Sequence, residues 1–310
     1  MAMVILWRGN CGLSKCITRY LVAMAAADLM VVVIEVIFYQ IVHLYTYVWV
    51  DKDTFLTDMR RVPYCLVHYT LCNLAIDCSV WFSVAFTFDR CVFICFTKLK
   101  RKYCTPKFAG LVIGTICFGL CIKNIPFYFL YQDILVKDNH NIRVCSARPV
   151  ILWSLVFNWF YWMDQLLNPV VPFYTILTLN VLTARQIVAA SRVRHRLRGQ
   201  RNCEKQRDPE MVSRRKSIIL LFLLSASFLL CWATSTLVFI LTHSLYLDLE
   251  TSISLYLARE RGAVFQLFSC CTNTFIYGVI QTKFREQLKI VLLYPAHWLF
   301  QISRSSSPRR

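Results

Sequence analysis

Charged residues are scarce in this chain of 310 residues, since Asp, Glu, Lys and Arg together make up only 17% of it. Soluble domains average about 25% charged residues, so the shortage argues against a soluble protein. Hydrophobic residues account for 57% of the chain. This composition indicates a membrane protein.

Several sequence patterns that carry chemistry are also missing. No CxxC or HExxH pattern occurs, which argues against a zinc site. No nucleophile–base set is evident, so an enzyme is not predicted. Internal repeats and pairs of Gly/Pro-broken apolar segments, which are typical of transporters, are absent too, and a transporter stays only a weaker alternative.

Six apolar stretches are long enough to be membrane spans. A span needs about 20 mostly apolar residues, and the last stretch is short but uncharged. An all-α membrane protein is therefore predicted. The predicted spans lie at about 20–47, 63–96, 108–131, 151–184, 217–243 and 262–280.

The basic residues alternate with the spans and orient them. Segments 8–19, 97–107, 191–216 and 283–310 hold 24 of the 35 Lys and Arg residues and only four acidic residues. Lys and Arg accumulate in cytoplasmic loops, so these four segments are predicted to face the cytosol. Because the net charge of +18 is divided among short loops, a nucleic-acid partner is not predicted.

Both ends of the chain differ from the spans between them. Residues 1–7 are apolar but cover only about 10 Å as a helix, and they lack the features of a signal peptide. We interpret them as the end of a helix whose earlier part is missing. The segment at about 282–294 is amphipathic with a basic start, which predicts a helix on the inner membrane surface. A transmembrane domain over 1–295 and a short cytoplasmic tail over 296–310 follow from this division.

Cys65 and Cys145 are the cysteines placed at the outer surface by this orientation. Disulfides persist in the oxidising compartment, so these two cysteines are predicted to pair. The cysteines within spans are interpreted as small apolar packing groups.

Asp89 and Arg90 lie at the inner end of the second predicted span. An Arg within an apolar segment is costly and marks a functional site with a partner. The neighbouring Asp89 can hold Arg90 by a charge-assisted contact. The alternative is an Arg that merely anchors the end of a helix.

These features together resemble the rhodopsin-like G-protein-coupled receptors. Arg90, the Arg of an Asp-Arg pair, lies 25 residues after Cys65, as in that family. The segments DCSVWFSVAFTFDR, VPFYTILTLN and RRKSIILLF are most similar to vertebrate orphan receptors related to receptors for aromatic amino acids or short peptides. The resemblance implies a seven-helix bundle, here truncated at its first helix, in the plasma membrane with a cytoplasmic C-terminus. It also implies an extracellular amino-acid-like or peptide ligand and a heterotrimeric G protein as partners.

The resemblance assigns a set of switch residues that couple ligand to G protein. Departures from the family pattern are Cys91 after Arg90, and Thr234 and Thr274 where prolines are common. Without these prolines, a kink in the sixth helix must come from Ser, Thr or water. A non-signalling receptor fragment stays an alternative, because a bundle that lacks its first helix exposes polar interface and loses packing. The switch set is Asp89, Arg90, Val80, Pro172, Phe228, Trp232, Asn273 and Tyr277.

Asp28 matches the family's buried acidic position in the second helix, within RYLVAMAAADLM. The resemblance implies an allosteric sodium ion held by Asp28, Ser79, Ser269 and Asn273. The alternative is a neutral Asp28 in a local hydrogen-bond network. No other cofactor is predicted.

The ligand residues are predicted from polar groups in the outward half of the spans. Amine receptors carry an Asp seven residues after the disulfide Cys, but Cys72 stands there. Asp77 and Asp164 are costly carboxylates that require a partner, water or ligand. The candidates for ligand contact are Asn73, Asp77, Asp164, Trp232, Ser235 and Gln266.

Overall fold

The computed structural model describes residues 2–7, 14–35, 64–136, 142–147, 155–198, 209–244, 253–280 and 284–289. Within these ranges the chain is helical except for one β-hairpin. A π-helical turn over 32–35 follows α2, and another, Leu166–Val170, joins α6 to α7. The helices are α1 (Ala2–Trp7), α2 (Lys15–Val31), α3 (Tyr64–Cys95), α4 (Thr97–Tyr103), α5 (Pro106–Leu130), α6 (Leu155–Gln165), α7 (Val171–Arg198), α8 (Pro209–Ser244), α9 (Ile253–Ile280) and α10 over 284–289.

Several helix boundaries have a local cause in the sequence. Ser14 caps α2, since its hydroxyl accepts a hydrogen bond from the backbone N–H of Ile17, a donor that would otherwise lack a partner. Pro106 and Pro209 begin α5 and α8. Proline is favoured at the first helical position because its missing N–H is not needed there.

Two prolines lie at the π-helical turn between α6 and α7. Pro169 is inside the turn and Pro172 follows it in α7. A proline cannot donate the backbone hydrogen bond and its ring clashes with the carbonyl four residues earlier. The wider turn relieves this clash, and it changes the direction in which the outer part of this span presents its side chains.

The helix α3 lies at the centre of the bundle and packs against α2, α5, α7 and α8. Around it, α8 packs along α9, and α9 also contacts α2. The helix α1 packs on α2, where Ile5 and Leu6 join the main apolar core. A movement of α3 therefore affects its packing against most of the other described helices.

The outer surface of the bundle is strongly apolar. Along α9, Val264, Phe268, Phe275 and Val279 form one exposed stripe, and α5 exposes comparable side chains. A soluble protein rarely exposes so much contiguous apolar surface. Among the described residues, five helical segments are long and apolar enough to cross a membrane, and Val264–Ile280 is a shorter apolar helix. The chain is a multi-pass membrane protein.

The described helices coincide with the six predicted spans, with different limits. The second half of the first predicted span, 36–47, lies outside the described residues. The helix α7 continues beyond the end of its predicted span to Arg198. The helix α8 begins before its predicted span, at Pro209. The predicted surface helix is described over 284–289, and its other residues lie outside the described part of the chain, as does the tail.

The prediction of an all-α fold holds for the described helices, and the segment after α5 adds a two-stranded hairpin that was not predicted. There β1 (Tyr131–Val136) pairs antiparallel with β2 (Ile142–Ala147), with Asp133 opposite Cys145. The β-branched Ile and Val residues of both strands favour extended structure. The side chains of Cys65 and Cys145 lie outside the described part, so their disulfide stays a prediction.

Candidate functional site

The pair Asp89–Arg90 is fully buried at one end of α3. Arg90 Nε donates to Asp89 Oδ2 at 3.0 Å, and Arg90 Nη2 contacts the same oxygen. The guanidinium also lies 4.9 Å from the ring centre of Phe93. This end of the bundle, called the basic end below, also carries the exposed Lys98, Arg101 and Lys102 of α4. The structure brings the two predicted switch residues into direct contact.

Two cysteines that the sequence analysis did not single out hold this pair in place. Cys16 of α2 donates its S–H to Asp89 Oδ1 at 3.4 Å, and Cys104 donates to the Asp89 carbonyl at 3.6 Å. Burial raises the pKa of the Cys104 thiol to about 11, so this group is a neutral donor near pH 7. Asp89 is therefore tied to α2 and to the segment between α4 and α5, as well as to Arg90.

The predicted aromatic switch residues form a cluster halfway along α3. Phe228 and Trp232 of α8 stack with ring centres 5.3 Å apart and pack with Val80 of α3. Pro172 is buried, but the α7 contact in this cluster is supplied by Ile176. Thr236 donates to the carbonyl of Trp232 at 2.9 Å, a side-chain bond of the kind that can bend a helix without proline.

The remaining switch residues, Asn273 and Tyr277, lie on α9. Tyr277 is buried with its ring edge toward Phe284 of α10, at 6.2 Å between centres. Its hydroxyl has no hydrogen-bond partner among the described residues. Asn273 instead joins α9 to α2, since its Nδ2 donates to Asp28 Oδ2 at 2.9 Å.

Two of the proposed sodium ligands, Ser79 and Asn273, bond directly to the Asp28 carboxylate. Ser79 donates to Asp28 Oδ1, and both Asp28 and Ser269 are buried. The described partners of the Asp28 carboxylate are neutral, which leaves a buried negative charge without a cationic partner in this part of the chain. Carboxylate, hydroxyl and amide oxygens suit a hard cation. The donor set therefore fits a sodium ion.

A cavity of about 130 Å³ lies between α2, α3, α8 and α9. Its walls include Trp232 and Gln266 from the predicted ligand set and Ser79 and Ser269 from the sodium set. Phe228 and Val80 also line it, so the cavity adjoins the aromatic switch cluster. A group bound in this cavity would touch these switch side chains.

The other predicted ligand residues lie elsewhere. Asp77 and Asp164 share Lys123 of α5, whose Nζ lies 2.7 Å from Asp77 Oδ2 and also contacts Asp164. Ser235 faces Gly262 of α9. Among the described residues, neither these three nor Asn73 line the cavity. Asp77 and Asp164 therefore have a partner inside the protein. From the sequence, three possibilities were open for them: a partner, water or a ligand.

Glu35, His68 and Lys123 were missed from the sequence. Glu35 lines the cavity, and His68 Nε2 lies 3.3 Å from its Oε2. Both Glu35 and Lys123 are charges inside predicted apolar spans, which is the same signal that singled out Asp77. Applying that rule to every charge in the spans would have found them.

Residues 1–277 match the family model of the 7 transmembrane receptor (rhodopsin family). This match covers most of the chain and ends three residues before Ile280, the end of α9. The chain belongs to the rhodopsin family of seven-transmembrane receptors. The resemblance inferred from the motifs is thereby confirmed, and the receptor is not an enzyme.

A curated relative of the receptor is the FMRFamide receptor of Drosophila melanogaster. The two are 26% identical over 128 residues, which is 40% of this chain and 23% of the fly receptor. The aligned part thus spans less than a quarter of the relative's length. This similarity places a peptide receptor among the relatives of the chain.

Proposed function

We propose that this receptor transmits the binding of an extracellular small molecule or peptide to a heterotrimeric G protein. This proposal rests on the Asp89–Arg90 pair, which is buried at the basic end of the bundle. A partner that binds at this end would contact the charged Arg90 side chain once the pair separates. Lys and Arg accumulate in cytoplasmic loops, so the basic end and the C-terminus face the cytosol of a plasma-membrane receptor.

On the ligand side, the cavity adjoins the aromatic cluster. The cavity is lined by Trp232, Phe228 and Val80, and these three side chains also pack with one another. A ligand that fits one arrangement of this cluster better than another shifts the equilibrium between the two arrangements. Ligand binding thereby acts on the contact between α8 and α3.

On the G-protein side, Arg90 is the group that must be released. Its guanidinium bonds Asp89, which Cys16 and Cys104 hold in place. Outward movement of α8 opens the space beside α3, and Arg90 then turns from Asp89 toward the G protein. The two sites are coupled through α3, which carries Val80 and Arg90 on one continuous helix.

The relative's name supports a peptide as the ligand. FMRFamide is the first ligand to test, alongside aromatic amino acids, which the motif similarity suggested. The size of the cavity, about 130 Å³, admits one group of side-chain size. The rest of a peptide would lie above it.

The proposal is tested by nucleotide exchange on purified heterotrimeric G proteins added to membranes containing the receptor. Receptor-dependent exchange is expected, and Arg90→Ala should abolish it. Arg261→Ala, near the start of α9 and exposed, is the matched control and should retain exchange at equal expression. Exchange that is unaffected by Arg90→Ala, or absent across all G-protein classes and candidate ligands, would refute the proposal. The second result would favour the non-signalling fragment.

A further inference from the structure

Glu35 is the charged residue of the cavity wall. It ends the π-helical turn after α2, and 21% of its side chain is exposed. The other described lining residues are apolar, aromatic, hydroxyl, thiol or amide side chains. The cavity therefore presents one negative charge and no positive charge among the residues that the structure describes.

The carboxylate of Glu35 reaches the third-helix position at which amine receptors carry an Asp. Cys72 occupies that position here, and its Sγ lies 3.3 Å from Glu35 Oε2. His68, one turn earlier on α3, contacts the same oxygen at 3.3 Å. Both of these contacts are to Oε2, so among the described residues Oε1 is the oxygen through which Glu35 can take a further partner. The negative charge that α3 lacks at position 72 is supplied by Glu35 in the π-helical turn after α2.

We propose that Glu35 anchors a positively charged group of the ligand, an ammonium or a guanidinium, inside this cavity. This assignment rests on the proposed receptor function and names the chemistry of its ligand. An anion half-buried among apolar walls such as Val31 and Leu267 is poorly solvated, and a ligand cation compensates for that loss. Trp232, on the same cavity, can contribute a cation–π contact.

The size of the cavity limits what enters it. An engineered apolar cavity of about 150 Å³ holds a benzene molecule, and this one is about 130 Å³. One ring or one cationic side chain fits, with its charge at Glu35. The carboxylates of Asp77 and Asp164 do not compete for this role, because neither lines the cavity and both contact Lys123 instead.

The test uses the purified full-length chain in lipid nanodiscs without G protein, so that it is independent of signalling. Thermal unfolding is measured against concentration for benzylammonium and for benzyl alcohol, its neutral counterpart. A second pair is FMRFamide and the same peptide with Gln in place of its Arg and an acetylated N-terminus. If the charged probe binds more tightly in the first pair, the ligand cation is a small amine. If it does so in the second pair, the cation belongs to a peptide.

In at least one pair, the charged probe should bind about tenfold more tightly than its neutral counterpart, because hydrogen bonds to charged groups are the stronger ones. Glu35→Gln should reduce that ratio to within about twofold, while Glu35→Asp should retain most of it. Glu286→Gln, which removes an exposed carboxylate from α10, is the matched control and should leave the ratio unchanged.

Photolabelling of the wild-type chain with 4-azidobenzylammonium supplies a measurement that needs no variant. Labelling is expected within 31–35, 72–83, 228–232 or 266–270, the segments that line the cavity. Equal binding of charged and neutral probes in both pairs, a ratio unaltered by Glu35→Gln, or labelling confined to other segments would each overturn the proposal. Loss of receptor signalling with an intact charge preference would overturn only the proposed function.

Discussion

Lys123 Nζ lies 2.7 Å from Oδ2 of Asp77, which joins α5 to α3 inside the apolar part of the bundle. The same ammonium contacts Asp164 of α6, and Asn124 donates to Asp77 Oδ2 at 2.8 Å. One cation thus connects three helices at the height of the outer half of the bundle. Removing one partner of a buried ion pair lowers the stability of the folded protein by more than the intact pair raises it.

We predict that Lys123→Met lowers the thermal stability of the purified receptor sharply. The substitution leaves Asp77 and Asp164 as neighbouring buried carboxylates without a cation, at a cost of about 3–5 kcal/mol. The midpoint of thermal unfolding in detergent is the measurement. Lys107→Met, at the exposed start of α5, should change it little. Adding Asp77→Asn to Lys123→Met should recover part of the loss, and failure of this rescue would show that the triad is not the cause.

We predict that Asp89→Asn raises the basal rate of G-protein nucleotide exchange several-fold. The neutral amide retains the shape of the side chain but holds Arg90 less strongly, because charge-assisted bonds are about twice as strong as neutral ones. Exchange is measured without ligand and corrected for the amount of receptor. A lower rate than wild type at equal surface display would show that the pair does not restrain Arg90.

We predict that Cys16→Ala also raises the basal rate of G-protein nucleotide exchange, by less than Asp89→Asn does. Its S–H donates to Asp89 Oδ1 from α2, and thiols are weak donors. Cys95→Ala, on α3 beyond Arg90, supplies the comparison, since Cys95 contacts Cys91 and not Asp89. Equal effects of the two substitutions on basal exchange would argue that the Cys16 contact has no specific role.

Local and pairwise features could be predicted from the sequence. The contact of Asp89 with Arg90 follows from adjacency, and the spans follow from length and apolar composition. The cluster of Phe228, Trp232 and Val80 was implied by the family resemblance, which had already placed those residues in three dimensions. The hairpin at 131–147 was missed because two short strands separated by a few residues carry little periodicity between long apolar spans.

Long-range pairing of charges could not be predicted in the same way. Asp77 is separated from Lys123 by 46 residues and was recognised only as a costly carboxylate. Which cation reaches it depends on how α3, α5 and α6 rotate about their axes, and the weak amphipathicity of membrane helices does not fix that rotation. For the same reason Glu35 could not be placed beside Cys72.

We predict that sodium stabilises the receptor against heat relative to choline at equal ionic strength. The Asp28 carboxylate has neutral described partners in Ser79 and Asn273, and a bound cation would offset its buried charge. At ten times the dissociation constant, a ligand that binds only the folded state adds about 1.4 kcal/mol. The difference in unfolding midpoint between the two salts should vanish in Asp28→Asn and persist in Glu286→Gln. An unchanged difference in Asp28→Asn would place any sodium effect elsewhere.

We predict that Gly262→Ala destabilises the contact between α8 and α9, whereas Gly278→Ala on the same helix does not. A Cβ at Gly262 would lie 2.7 Å from Oγ and 3.3 Å from the backbone N of Ser235, but one at Gly278 meets nothing within 4 Å. The Ser235 side chain must move and its backbone must give way by a few tenths of an ångström, so we expect a cost of about 1–3 kcal/mol, as in other overpacked sites. Alanine at the open site instead gains up to about 1 kcal/mol from its higher helix propensity. The unfolding midpoints of the two variants should therefore move in opposite directions from wild type. Adding Ser235→Ala to Gly262→Ala should relieve only the Oγ contact, so a complete rescue would show that the helix backbones are not in close approach at this point.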